Sequence, residues 1–323
     1  HERRYIKENT TTPDSNMNMQ AAFKRYYEED KGMLYLITVA SLIFSAQNFM
    51  VTGKVETVSE GYAFTEGPLY LPDGTLIFSD IPSDTIFKHD KSVFRRPSGE
   101  SNGLTLDREG RLIACEHKNR RVSRTESNGT ITVLAERYEG KRLNSPNDII
   151  VRSDGTLFFT DPSYGLPGGL EDPQAELNFC GVYGISPQGV LRLLADDFIK
   201  PNGLALSPDE KILYIADTEG KQIRAFDAES DGTLSNGRIF CELPGPDGIK
   251  TDRQGFLWST ASDGVRVYDP QGTLVETIPF PQTPSNCAFG GDNSRILYVT
   301  ARKGVYKIRT SHEGLHPLNA PKS

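Results

Sequence analysis

A chain of 323 residues with 37% hydrophobic and 24% charged residues can bury a large core and has the make-up of an ordinary globular protein. A formal net charge of -7 and a pI near 5.4, with no Lys/Arg run longer than the pair in NRR, leave no basic stripe and exclude a nucleic-acid partner. Four cysteines, Cys115, Cys180, Cys241 and Cys287, contain no CxxC pair, which excludes a disulfide scaffold and a thiolate zinc site; they read as buried thiols.

The first fifty residues stand apart. HERRYIKENTTTPDSNMNMQ is polar and reads as a tail, and MLYLITVASLIFSA (Met33–Ala46) is a continuous apolar run. That run is short for a bilayer span and is expected to form a docked helix or a signal-like segment. The location is left open by the sequence: cytoplasmic, or periplasmic or secreted if residues 33–46 act as a signal. Membrane attachment is expected only if that run is an anchor.

Beyond it lies an internal repeat. TEGPLYLPDGTLIFSD, SNGLTLDREGRLIACE, PNDIIVRSDGTLFFTD, PNGLALSPDEKILYIAD, PDGIKTDRQGFLWSTA and SNCAFGGDNSRILYVTA each read as strand, tight turn and strand. In every copy one polar residue (Glu66, Asn102, Asn147, Asn202, Asp247 or Asn286) stands eight positions before the turn residue (Gly74, Gly110, Gly155, Glu210, Gly255 or Ser294). The polar residues are spaced by 36, 45, 55, 45 and 39, the length of a repeat that builds a four-stranded blade. Further strands fill the gaps, as in DTIFKHD, KQIRAFDAE and GVRVYDP.

The last copy has only a third strand, GVYKIRT, and GKVETVSE (Gly53–Glu60) can supply its fourth. The fold expected is all-β: a six-bladed β-propeller whose last blade is closed by an N-terminal strand. Its domains are an N-terminal extension (1–50), the propeller (51–312) and a C-terminal tail (313–323).

A propeller carries its first strands innermost, so the six polar residues ring the axis at one end. Asn, Asp and Gly at a strand entrance also serve as turn residues that cap their own backbone. Glu66 is poor in that role, and two buried carboxylates, Glu66 and Asp247, near one axis call for a cation between them. Carboxylate and amide oxygens are hard donors, which favours Ca²⁺, with Mg²⁺, Mn²⁺ or Zn²⁺ as alternatives. None of the five histidines, His1, His89, His117, His312 and His316, stands at a ring position.

At the rim, Asp80, Glu116, His117, Asp161 and Asp217 end second strands or follow them, and Arg142 lies in a nearby loop. The long Gly/Pro-rich segment Pro162–Phe179 reads as a lid. GESNG (Gly99–Gly103) matches a nucleophile-elbow pattern, but LTLD continues it as strand rather than helix, against a serine hydrolase.

FTEGPLY, SPNDIIVRSDGTLFFTDPSYG, FCGVYGISPQG, IKPNGLALSPDEKILYIAD and GPDGIKTDRQGFLW resemble the gluconolactonases of the superfamily that includes senescence marker protein (regucalcin) and the diisopropylfluorophosphatases. The resemblance covers roughly Val55 to Arg309. It implies a six-bladed propeller with one catalytic divalent cation, usually calcium, that hydrolyses lactones. Glu66, Asn202 and Asp247 would be metal ligands, and Asn147 a further ligand or a substrate contact. By Lewis-acid catalysis a lactone would open to its acid as water attacks, with Asp247 as base. Asn102, Glu116, His117 and Arg142 would contact the small-molecule lactone. The alternatives are a phosphotriesterase of the same fold and a propeller that binds a ligand without catalysis.

Overall fold

The computed structural model describes residues 49–318, and the apolar run at 33–46 lies outside them. The described residues form six four-stranded antiparallel sheets and no α-helix. The innermost strands are Thr65–Tyr70, Ser101–Leu106, Ile149–Val151, Pro201–Leu206, Ile249–Thr251 and Asn286–Gly290. Each touches the next, and the sixth touches the first, so the sheets close into a six-bladed β-propeller.

One cause of this fold is the repeated turn. Gly74, Gly110, Gly155 and Gly255, at the first hairpin of four blades, have φ between 79 and 91°, which glycine adopts without strain. Glu210 (φ 58°) and Ser294 (φ 51°) hold the same place in the other two blades. There Glu210 recovers part of the cost, because Oε1 accepts from Ser153 N at 2.9 Å and ties blade four to blade three.

The other cause is burial between blades. Second strands such as Leu257–Ala261 are buried at every residue, so LWSTA shows no period-two alternation. Six apolar clusters fill the six gaps between neighbouring blades. Leu69, Ile77 and Ile86 of blade one meet Leu104, Leu106 and Ala114 of blade two, and Phe158 and Val182 of blade three meet Leu204, Leu213 and Phe226 of blade four. Tyr62, Leu76 and Phe78 meet Val305 across the seam between blades one and six.

In the sixth sheet, Glu56–Glu60 is the outer strand, paired with Gly304–Arg309. Met50 is 1% exposed and packs with Trp258, Val267 and Ile308. At the other end of the chain, residues 312–318 cross the far mouth of the channel. Leu315 N donates to Thr251 O at 3.2 Å, His316 Nε2 bonds Tyr70 O at 2.6 Å, and Arg108 Nη1 donates to Pro317 O at 2.9 Å. Leu315, Pro317 and the inner strands line a half-open, largely apolar chamber of about 100 Å³.

All four cysteines are free and buried. Ser101 is also buried within its strand, its Oγ 2.9 Å from Ser79 Oγ, and has no nucleophile elbow around it.

Candidate active site

The six ring residues begin or immediately precede the innermost strands, and their backbones knit the blades together. Gly103 N donates to Asn147 O at 2.7 Å and Gly203 N to Asp247 O at 3.1 Å, each bond crossing from one blade to the next. Such contact leaves no room for a side chain: a Cβ at Gly67 would lie 2.0 Å from Asn102 O, and one at Gly203 would lie 2.3 Å from Asp247 O. The glycine that follows four of the six ring residues is therefore a packing requirement.

A second repeated device aims these residues. Asp80, Asp161 and Asp217, at the ends of second strands, accept paired backbone N–H bonds from Ala63 and Phe64, Asn144 and Ser145, and Ile199 and Lys200. In each case the donors stand two and three residues before a ring residue. These aspartates hold the loops that deliver Glu66, Asn147 and Asn202, and their oxygens are committed to that task.

Glu66 is 3% exposed, and its Oε2 accepts from Gly67 N at 3.0 Å. Burial pushes its carboxyl up to about 7; Asp148 adds to the rise, while the Gly67 bond, Asn286 and Lys250 oppose it. Asp247 is raised well above the carboxylate range by burial, and then by Glu66 and Asp148, with Arg302 and Asn202 opposing. Two buried carboxyls, one of which raises the other, stand at one end of the axis and neither forms an ion pair there among the described residues.

The amides tell the same story. Asn202 donates from Nδ2 to Thr218 Oγ1 at 3.1 Å, and Asn102 Nδ2 lies 3.4 Å from His117 Nε2. Both contacts leave the amide oxygen free. Asn102 Oδ1, Asn202 Oδ1 and Asp247 Oδ1 are buried without a hydrogen-bond partner among the described residues. Each orphan acceptor costs on the order of 1–3 kcal/mol unless a ligand satisfies it. Oxygen donors with two carboxylates suit a hard divalent cation, so the residues present fit the metal that the resemblance implies. Histidine and cysteine do not contribute: no cluster of three or more His, Cys, Asp or Glu side chains with metal-site geometry occurs among the described residues.

His117 stands behind Asn102, 6% exposed, and burial depresses its imidazole to about 4. It is neutral at ordinary pH and orients the Asn102 amide. Glu116 and Arg142 are not brought to the ring. The Glu116 carboxylate is taken up by Arg95 at 2.8 Å, Arg121 at 2.7 Å, Asn119 at 2.6 Å and Ser123 at 2.5 Å. Those bonds also hold its carboxyl low against the pull of burial. Arg142 lies on an exposed two-stranded ribbon with its Nη2 on Asn119 O at 3.0 Å.

The long loop Pro162–Phe179 is pinned rather than loose. Leu166 and Leu177 are buried, and Arg120 Nη1 donates to Gln174 O at 2.7 Å. Its contribution to the site is Tyr164, a residue that no repeat or motif marks. Tyr164 is 41% exposed as a whole residue, and partial desolvation of its hydroxyl end, with Asp247 adding, raises its phenol, while Thr218 and Asn202 oppose the rise. Lys200 Nζ sits 5.0 Å from the centre of that ring and donates to Ser163 Oγ at 2.6 Å. Asp148 and Lys250 lie deeper in the channel and were missed for the same reason. Their one sequence signal is the Asp that follows Asn147, where four other copies have glycine.

Residues 64–303 match the model of the SMP-30/gluconolactonase/LRE-like region. A gluconolactonase of Zymomonas mobilis is 31% identical over 297 residues, covering 82% of this chain and 83% of that protein. A regucalcin of Xenopus laevis is 28% identical over 77% of this chain and 86% of its own length. Among solved structures, a gluconolactonase of Xanthomonas campestris superposes with a TM-score of 0.73 at 37% identity, covering 80% of this chain and 89% of that one. The match spans all six blades, and the chain belongs to the SMP-30/gluconolactonase/LRE-like family.

Proposed function

We propose that this chain is a divalent-cation-dependent lactone hydrolase that opens a sugar lactone to its aldonic acid. One observation carries the reading: Asn102 Oδ1, Asn202 Oδ1 and Asp247 Oδ1 are buried and unpartnered beside the paired carboxyls of Glu66 and Asp247. Buried polar groups are normally hydrogen-bonded, and three orphan acceptors gathered at one end of the channel support a ligand there. The gluconolactonase relatives support a sugar lactone as the class of substrate.

Glu66, Asn147, Asn202 and Asp247 would hold the cation, and Ca²⁺ is the first choice because hard oxygen donors in a roomy site suit it. The chemistry the cation supplies when bound is polarisation of the lactone carbonyl. Asp247 accepts the proton of the attacking water, and its return to the ring oxygen completes the opening to hydroxy acid. Asn102, held by neutral His117, and Tyr164, above Asn202 and Thr218, are the side chains that bind and orient the sugar hydroxyls.

The test is a panel of sugar lactones followed by proton release above the spontaneous rate, with chelator and after Ca²⁺ is restored. Hydrolysis that chelator abolishes and Ca²⁺ returns supports the reading, and undiminished hydrolysis in chelator rejects it.

A further inference from the structure

Beneath the ring the channel changes character. Blade three has Asp148 where a glycine follows the ring residue in four of the other blades, and this carboxylate is 2% exposed. Its Oδ1 accepts from Ile149 N at 2.9 Å, and its Oδ2 lies 3.4 Å from Asn286 Nδ2 and 3.7 Å from Lys250 Nζ. The Lys250 ammonium comes from blade five across the axis and donates to Ile249 O at 2.9 Å. Lys250 also lines the chamber on the far side, so it stands between the oxygen ring and that cavity.

The charges can be counted. Glu66, Asp247 and Asp148 bring three carboxylates to one stretch of channel, and Lys250 brings the ammonium that ion-pairs there with Asp148. With Asp148 matched by Lys250 inside the channel, Glu66 and Asp247 are the carboxylates left to the cation, with Arg302 the one further charge that acts on Asp247.

We propose that Lys250 and Asp148 are positioning residues, a built-in charge pair that fixes the ring at two net negative charges and so sets its affinity for a single dication. The inference rests on the ring being the cation site. Removing the ammonium leaves three negative charges facing the cation, which then binds more tightly. Removing the carboxylate while keeping the ammonium weakens binding. At channel distances in a partly desolvated site, either change moves affinity about tenfold or more.

Calorimetric titration of the chelator-stripped full chain with Ca²⁺ alone reads this directly, without reference to turnover. Lys250→Met is expected to bind Ca²⁺ about tenfold more tightly than the wild type and Asp148→Asn about tenfold more weakly. The double variant is expected to return towards the wild type, and Lys250→Arg to match it. Should one single variant fail to fold, the other single and Lys250→Arg still carry opposite expectations. Equal affinities across wild type, Lys250→Met and Asp148→Asn would overturn the charge pair and leave the ring as a cation site. Absence of Ca²⁺ binding by the wild type would overturn the ring reading and this inference with it.

Discussion

Asn202 and Thr218 are joined by a hydrogen bond from Nδ2 to Oγ1 at 3.1 Å, and Thr218 Oγ1 in turn donates to Pro246 O at 2.7 Å. With its only proton donated, the hydroxyl can do nothing but accept, so it is the amide nitrogen and not the amide oxygen that faces it. That fixes which way the Asn202 amide lies and leaves Oδ1 buried and free. Thr218→Val keeps the shape and removes the acceptor, so the amide loses its orientation. Ca²⁺ affinity is expected to fall about 10- to 100-fold, the usual effect of losing a partner that orients a metal ligand. Calorimetry and a melting curve together check this, since a drop in affinity with an unchanged melting temperature separates aim from fold.

His117 gives a pH prediction of fixed sign. Burial depresses its imidazole from 6.5 to about 4, so between those values the unfolded chain binds a proton that the folded chain does not. Stability contributed by this residue is complete above pH 6.5 and is lost as pH falls towards 4, amounting to at most about 3 kcal/mol. The difference in unfolding free energy between wild type and His117→Gln is expected to shrink over that window. An NMR titration of the ring near 6.5 instead of near 4 would contradict the assignment.

Closure of the ring makes a truncation prediction. A chain beginning at Phe49 keeps Met50, whose N donates to Glu276 Oε2 at 2.8 Å, and keeps the outer strand Glu56–Glu60. It is expected to fold and to unfold cooperatively near the temperature of the full chain. A chain beginning at Tyr62 lacks that strand and exposes an edge of the sixth sheet, and is expected to unfold or aggregate. Circular dichroism of the two purified chains decides, and like behaviour would refute the structural importance of the outer strand.

The two ring carboxylates separate binding from proton transfer. Glu66→Gln removes a charge, so metal affinity drops and high Ca²⁺ restores turnover. Asp247→Asn also weakens binding, but an amide cannot take a proton from water. On Ca²⁺-saturated protein its rate is expected to remain down by about 10² to 10⁴. Near-normal turnover of saturated Asp247→Asn would remove its role as base.

What the sequence carried was whatever repeats. The turn residues Gly74 to Ser294 mark six hairpins, and all six positions prove to have positive φ, a local requirement that leaves a local trace. The ring residues could be found because they hold a constant offset from those turns. Tyr164, Lys200 and Thr218 have no such signal: Tyr164 lies in the long loop Pro162–Phe179, and Lys200 and Thr218 stand at places where the other copies carry unrelated residues. Nor could sequence say which acids serve the ring and which serve the scaffold. Asp80, Asp161 and Asp217 end second strands as Glu116 does, yet the aspartates clamp backbone amides while Glu116 is enclosed by Arg95, Arg121, Asn119 and Ser123. Partners distant in the chain decide the matter, as with Arg95 and Glu116.

The most direct test of the central claim, that the oxygen ring holds one divalent cation, is calorimetric titration of Ca²⁺ into chelator-stripped wild type and Glu66→Gln. The account predicts one Ca²⁺ per wild-type chain and binding at least about tenfold weaker in Glu66→Gln, because half of the neutralising charge is gone. Equal binding by the two proteins, or none by either, would contradict it.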